Sequence, residues 1–199
     1  MIKAIFVDVS GVLIVNQLSE IYARYEKEHL ITRQTFRDVF LFLSEKNRTA
    51  SELNEYLKKI KLDKSIWENF FSEFFTSEGR NEPLTEILKS ARQKGIVIVI
   101  TSNNATRLEP LLAKLGLSDL PDLIIASADL GLVKPDPVFW RFAFGKTKEI
   151  ISDLKPEEVL VIDDHVENLD SARAEGFQTV NYLGDKTAAH EALRSILVI

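Results

Sequence analysis

The side chains able to do chemistry stand at widely separated points: Asp8, Thr101 and Ser102, Asp129 and Lys134, and the adjacent pair Asp163-Asp164. Carboxylates can hold a hard cation or act as nucleophiles, hydroxyls can hydrogen-bond an anion, and an ammonium can neutralise one. An Asp at a strand end is by itself an ordinary cap or turn residue. What marks this set is that reactive groups follow several separate apolar runs. The chain has no Cys, which excludes a disulfide scaffold, a Cys-ligated zinc and a Cys nucleophile, and agrees with a reducing compartment. Of the 3 His, His165 after the acidic pair reads as a surface or helix-start residue, and His29 and His190 carry no signal.

The elements that must position these residues follow from the apolar pattern. Residues 2–9, 96–100, 123–126, 159–162 and 178–182 predict strands, and Ile96 to Ile100 are all β-branched. Helices are expected between them at Pro83–Lys94, Leu108–Leu115, Pro137–Phe144, Asn168–Glu175 and Ala188–Leu197, the first four stopping at Gly95, Gly116, Gly145 and Gly176. A loop from Ser127 to Asp136 carries Gly131, Lys134 and Pro135. Alternating strands and helices predict an α/β fold, a Rossmann-like parallel sheet with helices on both faces. Ligands in such sheets bind beyond the carboxyl ends of the strands, where the reactive residues lie.

Composition limits the rest. The chain has 199 residues, 45% hydrophobic and 28% charged, with a net charge of −5. No basic field recruits nucleic acid, the apolar runs are strand-sized rather than membrane-spanning, and Ala4-Ile5-Phe6-Val7 runs into Asp8 without a cleavable hydrophobic leader. Between Gly11 and Gly79 there is neither Gly nor Pro. Four helical stripes fill the gap: Leu18, Ile21, Tyr22, Tyr25; Phe36, Val39, Phe40, Leu43; Leu53, Tyr56, Leu57, Ile60; and Trp67, Phe70, Phe71, Phe74, Phe75. Thr49-x-x-Glu52 reads as a capping box, and Asp63 as a cap for the last helix. The expectation is a four-helix cap domain over residues 16–79, inserted into a core formed by 1–15 and 80–199. Seven of the 12 Phe lie between Phe36 and Phe75, so bundle core is their main expected role, with some able to wall a substrate site as well.

Four segments resemble the ordered motifs of the haloacid dehalogenase-like (HAD) hydrolases. They are Phe6-Val7-Asp8-Val9-Ser10-Gly11-Val12-Leu13, Ile100-Thr101-Ser102-Asn103, Gly131-Leu132-Val133-Lys134-Pro135-Asp136-Pro137, and Val161-Ile162-Asp163-Asp164-His165-Val166-Glu167-Asn168 running on to Gly176. The resemblance covers the whole chain, and the helical insert falls where that family carries its caps. It implies a sheet order 3-2-1-4-5. A response-regulator receiver domain has similar parts, but its acidic pair follows the first strand rather than the fourth, and it lacks such an insert.

The resemblance implies an aspartyl-phosphate mechanism on a small phosphorylated metabolite. Asp8 would be the nucleophile and Lys134 its neutralising partner. Asp8, Ser10 through its carbonyl, Asp163 and Asp164 would hold Mg²⁺. Ser102, or Thr101 beside it, would hydrogen-bond the phosphoryl group, Asn103 would contact substrate, and backbone N–H groups near Gly11 would cradle phosphate. A cytoplasmic monomer or homodimer is expected, with no nucleic-acid or membrane partner. One departure stands out. Family phosphatases carry an acid/base Asp two residues after the nucleophile, and here that residue is Ser10. A serine hydroxyl is a poor proton donor near neutral pH, and losing a general acid costs roughly 10²–10⁴-fold in rate. Slow phosphatase, impaired binding or regulatory module, and dehalogenase-type hydrolase are the three readings this leaves. Arg24, Arg33, Arg37 and Arg48 are available in the insert for a second anionic group, though each also suits a solvated helix face.

Overall fold

The computed structural model describes residues 1–104 and 108–198. Five parallel strands form one sheet: β1 (Ala4–Val7), β4 (Val97–Ser102), β5 (Leu123–Ala126), β6 (Val159–Asp163) and β7 (Gln178–Asn181). They are ordered β5-β4-β1-β6-β7, which is 3-2-1-4-5 when the five are counted in chain order. β1 lies at the centre, with Val7 level with Ile100 on one side and Ile162 on the other. The next residues along these strands, Asp8, Thr101 and Asp163, therefore emerge together at the carboxyl edge.

Alternation along the strands sorts side chains to two faces. Ile5 and Val7 join a cluster with Leu84, Leu88, Leu111 and Leu193, from helices α5 (Glu82–Gln93), α6 (Leu108–Lys114) and α10 (Lys186–Leu197). Ala4 and Phe6 join a second cluster with Phe139, Trp140, Leu169 and Ala172, from α8 (Pro137–Lys148) and α9 (Val166–Ala174). The sheet is thus covered on both faces, as a parallel sheet of buried β-branched strands requires.

The glycine- and proline-free stretch forms α1 (Leu18–Lys27), α2 (Arg33–Ser44), α3 (Ala50–Lys59) and α4 (Lys64–Ser77). These helices share their own apolar cluster, with Phe70 fully buried and Trp67 and Phe74 nearly so. The Thr49/Glu52 capping box is formed, and Asp63 accepts from the Ser65 amide.

Three local features differ from expectation. Gly145 does not end its helix: α8 continues to Lys148, and Thr147 is fully buried with its hydroxyl donating to the Ala143 carbonyl at 2.8 Å. An interior glycine costs about 1 kcal/mol, which the packing of that last turn outweighs. The loop after β5 begins with a short helix, α7 (Ser127–Leu130). Ile14–Val15 (β2) and Gly79–Arg80 (β3) pair antiparallel, tying together the chain segments that leave for and return from the four helices. Two-residue strands are too short to show a periodicity in sequence.

Candidate active site

Lys134 organises the carboxyl edge of the sheet. Its Nζ lies 2.8 Å from Asp8 Oδ1, 2.7 Å from Asp163 Oδ2 and 3.0 Å from the Thr101 carbonyl oxygen. The side chains of Lys134 and Asp163 are each 1% exposed, and that of Asp8 10%. A buried ammonium survives only when paired and fully hydrogen-bonded, and all three of its donor positions are engaged. The loop holding it is fixed by Asn103, whose amide donates to the Lys134 carbonyl and accepts from the Lys134 amide, both at 2.8 Å.

The acids are held as firmly. Asp163 Oδ1 accepts from the His165 amide at 2.8 Å, and both its oxygens lie 3.0 Å from Asn168 Nδ2. Asp164 Oδ1 lies 2.8 Å from His165 Nδ1. Two carboxylates contact Lys134 and a third, Asp164, pairs with His165, and the electrostatics follow. Burial pushes the Asp8 carboxyl up to about 6, with Lys134 opposing and Asp163 and Asp164 adding to the rise. Burial alone would lower Lys134, but the charges of Asp8 and Asp163 and their hydrogen bonds hold it above its ordinary value. The hydrogen bond to Asp164 raises His165 to about 9.

A cavity of about 650 Å³ opens above these groups, lined by Asp8, Ser10, Ser102, Asn103 and Lys134 from the sheet side. Ser102 and Thr101 part company here. Ser102 lines the cavity, whereas the Thr101 hydroxyl is fully buried away from it, without a hydrogen-bond partner among the described residues. Adjacent strand residues point to opposite faces, so Ser102 rather than Thr101 presents its hydroxyl to the cavity, while the Thr101 carbonyl accepts from Lys134. Gly11 donates its amide N–H to the Ile14 carbonyl at 2.8 Å. Its φ is +83°, and a Cβ would lie 2.4 Å from Asp164 Oδ2, so the glycine makes room for an acid. Asp129 stands apart from the acids, accepting from Asn47 Nδ2 at 2.9 Å.

The donor set of Asp8, Asp163 and Asp164 is all carboxylate oxygen, which suits a hard divalent cation. Ligand atoms of Asp163, Asp164 and His165 also lie within 4.8 Å of one another. Their excess negative charge over Lys134 is the kind of imbalance a cation offsets.

Two features escaped the sequence reading. Asn168 fixes Asp163, and its place five residues on, one helical turn into α9, was the available signal. His165 starts α9 as expected, yet lines the cavity, as do Arg37, Phe40 and Leu41 from α2. Phe40 thus takes the wall role open to some of the aromatic residues.

Known proteins resemble this chain in sequence and fold. Residues 2–176 match the haloacid dehalogenase-like hydrolase family. The chain is 30% identical over 126 residues to bifunctional epoxide hydrolase 2 of Rattus norvegicus, covering 58% of this chain and 22% of that protein. It is 29% identical over 120 residues to ribulose-1,5-bisphosphate 5-phosphatase of Halopiger xanaduensis, covering 60% and 47%. It thus spans less than half the length of these relatives. A HAD family enzyme of Bacteroides thetaiotaomicron, crystallised as an aspartate-to-alanine variant with magnesium and inorganic phosphate, superposes with a TM-score of 0.69 at 18% identity, covering 91% of this chain and 94% of that one. Among the described residues no helix is long and apolar enough to cross a membrane. With that match over nearly the whole chain, and the fold shared at this coverage, the chain belongs to the haloacid dehalogenase-like hydrolases.

Proposed function

We propose that the chain is a magnesium-dependent phosphoric monoester hydrolase for a small phosphorylated substrate, with Asp8 as nucleophile. The observation that carries this is the Lys134 ammonium bridging Asp8 and Asp163 at the floor of the cavity. It holds the Asp8 carboxylate in place and leaves positive charge where phosphoryl oxygens would sit. An Asp8 oxygen attacks phosphorus, the P–O bond to the leaving group breaks, and water then hydrolyses the aspartyl phosphate. Ser102 donates its hydroxyl to a phosphoryl oxygen. Asp8, Asp163, Asp164 and the Ser10 carbonyl would hold Mg²⁺, whose charge offsets that of the transferring group. The solved relative that binds magnesium and phosphate supports this choice of ion. The acidic pair favours a phosphatase over a dehalogenase-type reaction, which has no use for a metal pair.

Ser10 sits at the cavity where a proton donor for the leaving group would be useful, and its hydroxyl is a poor one near neutral pH. Turnover is therefore slow, and slowest for alkyl leaving groups that must be protonated. The same residue favours the second reading, an impaired enzyme that retains phosphate binding. The test is Mg²⁺-dependent hydrolysis of p-nitrophenyl phosphate and of an alkyl phosphate. Weak release from the aryl ester, abolished by chelation, is expected. Ser10→Asp should raise alkyl ester hydrolysis by up to roughly 10²–10⁴-fold and the aryl ester less. An unchanged alkyl rate would remove the missing-acid argument, and no hydrolysis by either protein would favour the binding module.

A further inference from the structure

The four arginines considered from sequence separate by their surroundings. Arg24 pairs with Glu73. Arg48 lies over the Phe42 ring and pairs with Glu45 and Glu52. Arg33 lies over the Tyr22 ring, beside a different groove. Arg37 lines the cavity that contains Asp8, is exposed, and has no ion-pair or hydrogen-bond partner among the described residues.

Its position is built in. Arg37, Phe40 and Leu41 occupy i, i+3 and i+4 on α2, one face of the helix, and all three line the cavity. The far end of α2 is fastened to the sheet side. Ser127 Oγ donates to the Ser44 carbonyl at 2.6 Å, and the Asn47 amide to the Ala128 carbonyl at 3.0 Å. Among the described residues lining this cavity, Lys134 is paired with Asp8 and Asp163 and His165 with Asp164, so Arg37 is the cation left to meet a ligand. Glu167 lines the same cavity with opposite charge, which disfavours an extended polyanion. The cavity also falls within the range of roughly 300–1,000 Å³ usual for small-molecule sites.

We infer that Arg37 is a specificity-determining residue, and that the substrate is a compact phosphate monoester bearing a second anionic group, which the Arg37 guanidinium binds while the phosphoryl group sits on Asp8 and Lys134. This rests on the phosphatase reading above. The second group is a carboxylate or another phosphate, both of which accept the bidentate fork of a guanidinium.

Calorimetry at fixed Mg²⁺ with three non-hydrolysable probes tests it: methylphosphonate, phosphonoacetate and ethane-1,2-bisphosphonate. The protein should bind one of the two probes that carry a second anionic group at least about tenfold more tightly than methylphosphonate, the scale of one charge-assisted hydrogen-bond pair. Preference for phosphonoacetate identifies a carboxylate, and preference for the bisphosphonate a second phosphate. Arg37→Ala should erase the preference, and Arg37→Lys should retain part of it. Chelation of Mg²⁺ differs between probes but is the same for all three proteins, so the decisive comparison is of each probe across the proteins, with free Mg²⁺ held constant. An absent preference, or one that survives in Arg37→Ala, overturns the inference. Hydrolysis of p-nitrophenyl phosphate, which has no second anionic group, is read in parallel. Hydrolysis without an Arg37-dependent preference sinks the specificity assignment and leaves the phosphatase reading. An Arg37-dependent preference without hydrolysis sinks the phosphatase reading and leaves the binding role.

Discussion

Lys134 and Asp8 are 126 positions apart in the chain and 2.8 Å apart in the fold. Removing one partner of such a buried ion pair commonly costs 3–5 kcal/mol, because the other charge is left uncompensated. Lys134→Met should therefore lower stability by about 3–5 kcal/mol in urea denaturation with a chelator present, and added Mg²⁺ should return part of the loss. Asp8→Asn keeps the shape of the side chain but removes the attacking carboxylate. It should abolish turnover and, because Lys134 keeps Asp163 as a counter-ion, lower stability less than Lys134→Met does; retained turnover would end the nucleophile assignment. Gly11→Ala tests the packing against Asp164. The added Cβ would meet Asp164 Oδ2 at 2.4 Å, on a backbone at φ +83° that disfavours any side chain. The variant should need a higher Mg²⁺ concentration for half-maximal activity, read from a metal titration.

At the scale of elements, the α3 capping box is a local device whose pH dependence can be worked out. Glu52 accepts from the Thr49 amide at 2.8 Å, and that hydrogen bond, with help from Lys46 and the Thr49 hydroxyl, depresses its carboxyl from 4.5 to about 2. A depressed carboxyl stabilises the fold fully above its unfolded value. The contribution of the box should thus be intact above about 4.5 and fade as the pH falls toward 2. Glu52→Gln should flatten that part of the stability-versus-pH curve. Thr49→Ala removes the reciprocal bond and should cost about 1 kcal/mol at neutral pH. The box, the Asp63 cap and the helical stripes were all legible from the sequence because each depends on residues close to one another in the chain. The β2–β3 pair was not, since Ile14 and Arg80 are separated in the chain by four helices.

Over the whole molecule, three apolar clusters divide the work. Two cover the faces of the sheet, and the third lies within the four helices. Phe70, fully buried in the third, packs edge-on against Tyr25 at 5.1 Å between ring centroids and against Phe36 at 5.4 Å. Phe70→Ala should cost about 3–5 kcal/mol. Hydrogen exchange should show the loss concentrated in α1–α4, with β1, β4 and β6 keeping their protection. Uniform loss across the sheet would mean that the clusters unfold as one unit.

The sequence by itself determined the strand and helix alternation, the sheet order through the family resemblance, the helical insert, and the acids and lysine at the strand ends. Those features are written in short-range periodicity and in motifs whose spacing is local. Only the tertiary structure decided that Ser102 rather than Thr101 faces the cavity, that Asn103 and Asn168 brace Lys134 and Asp163, and which of four similar arginines lines the site. Each of these depends on where a side chain points once distant segments pack. Chain-local patterns do not encode that direction, because it is set by contacts between residues far apart in sequence.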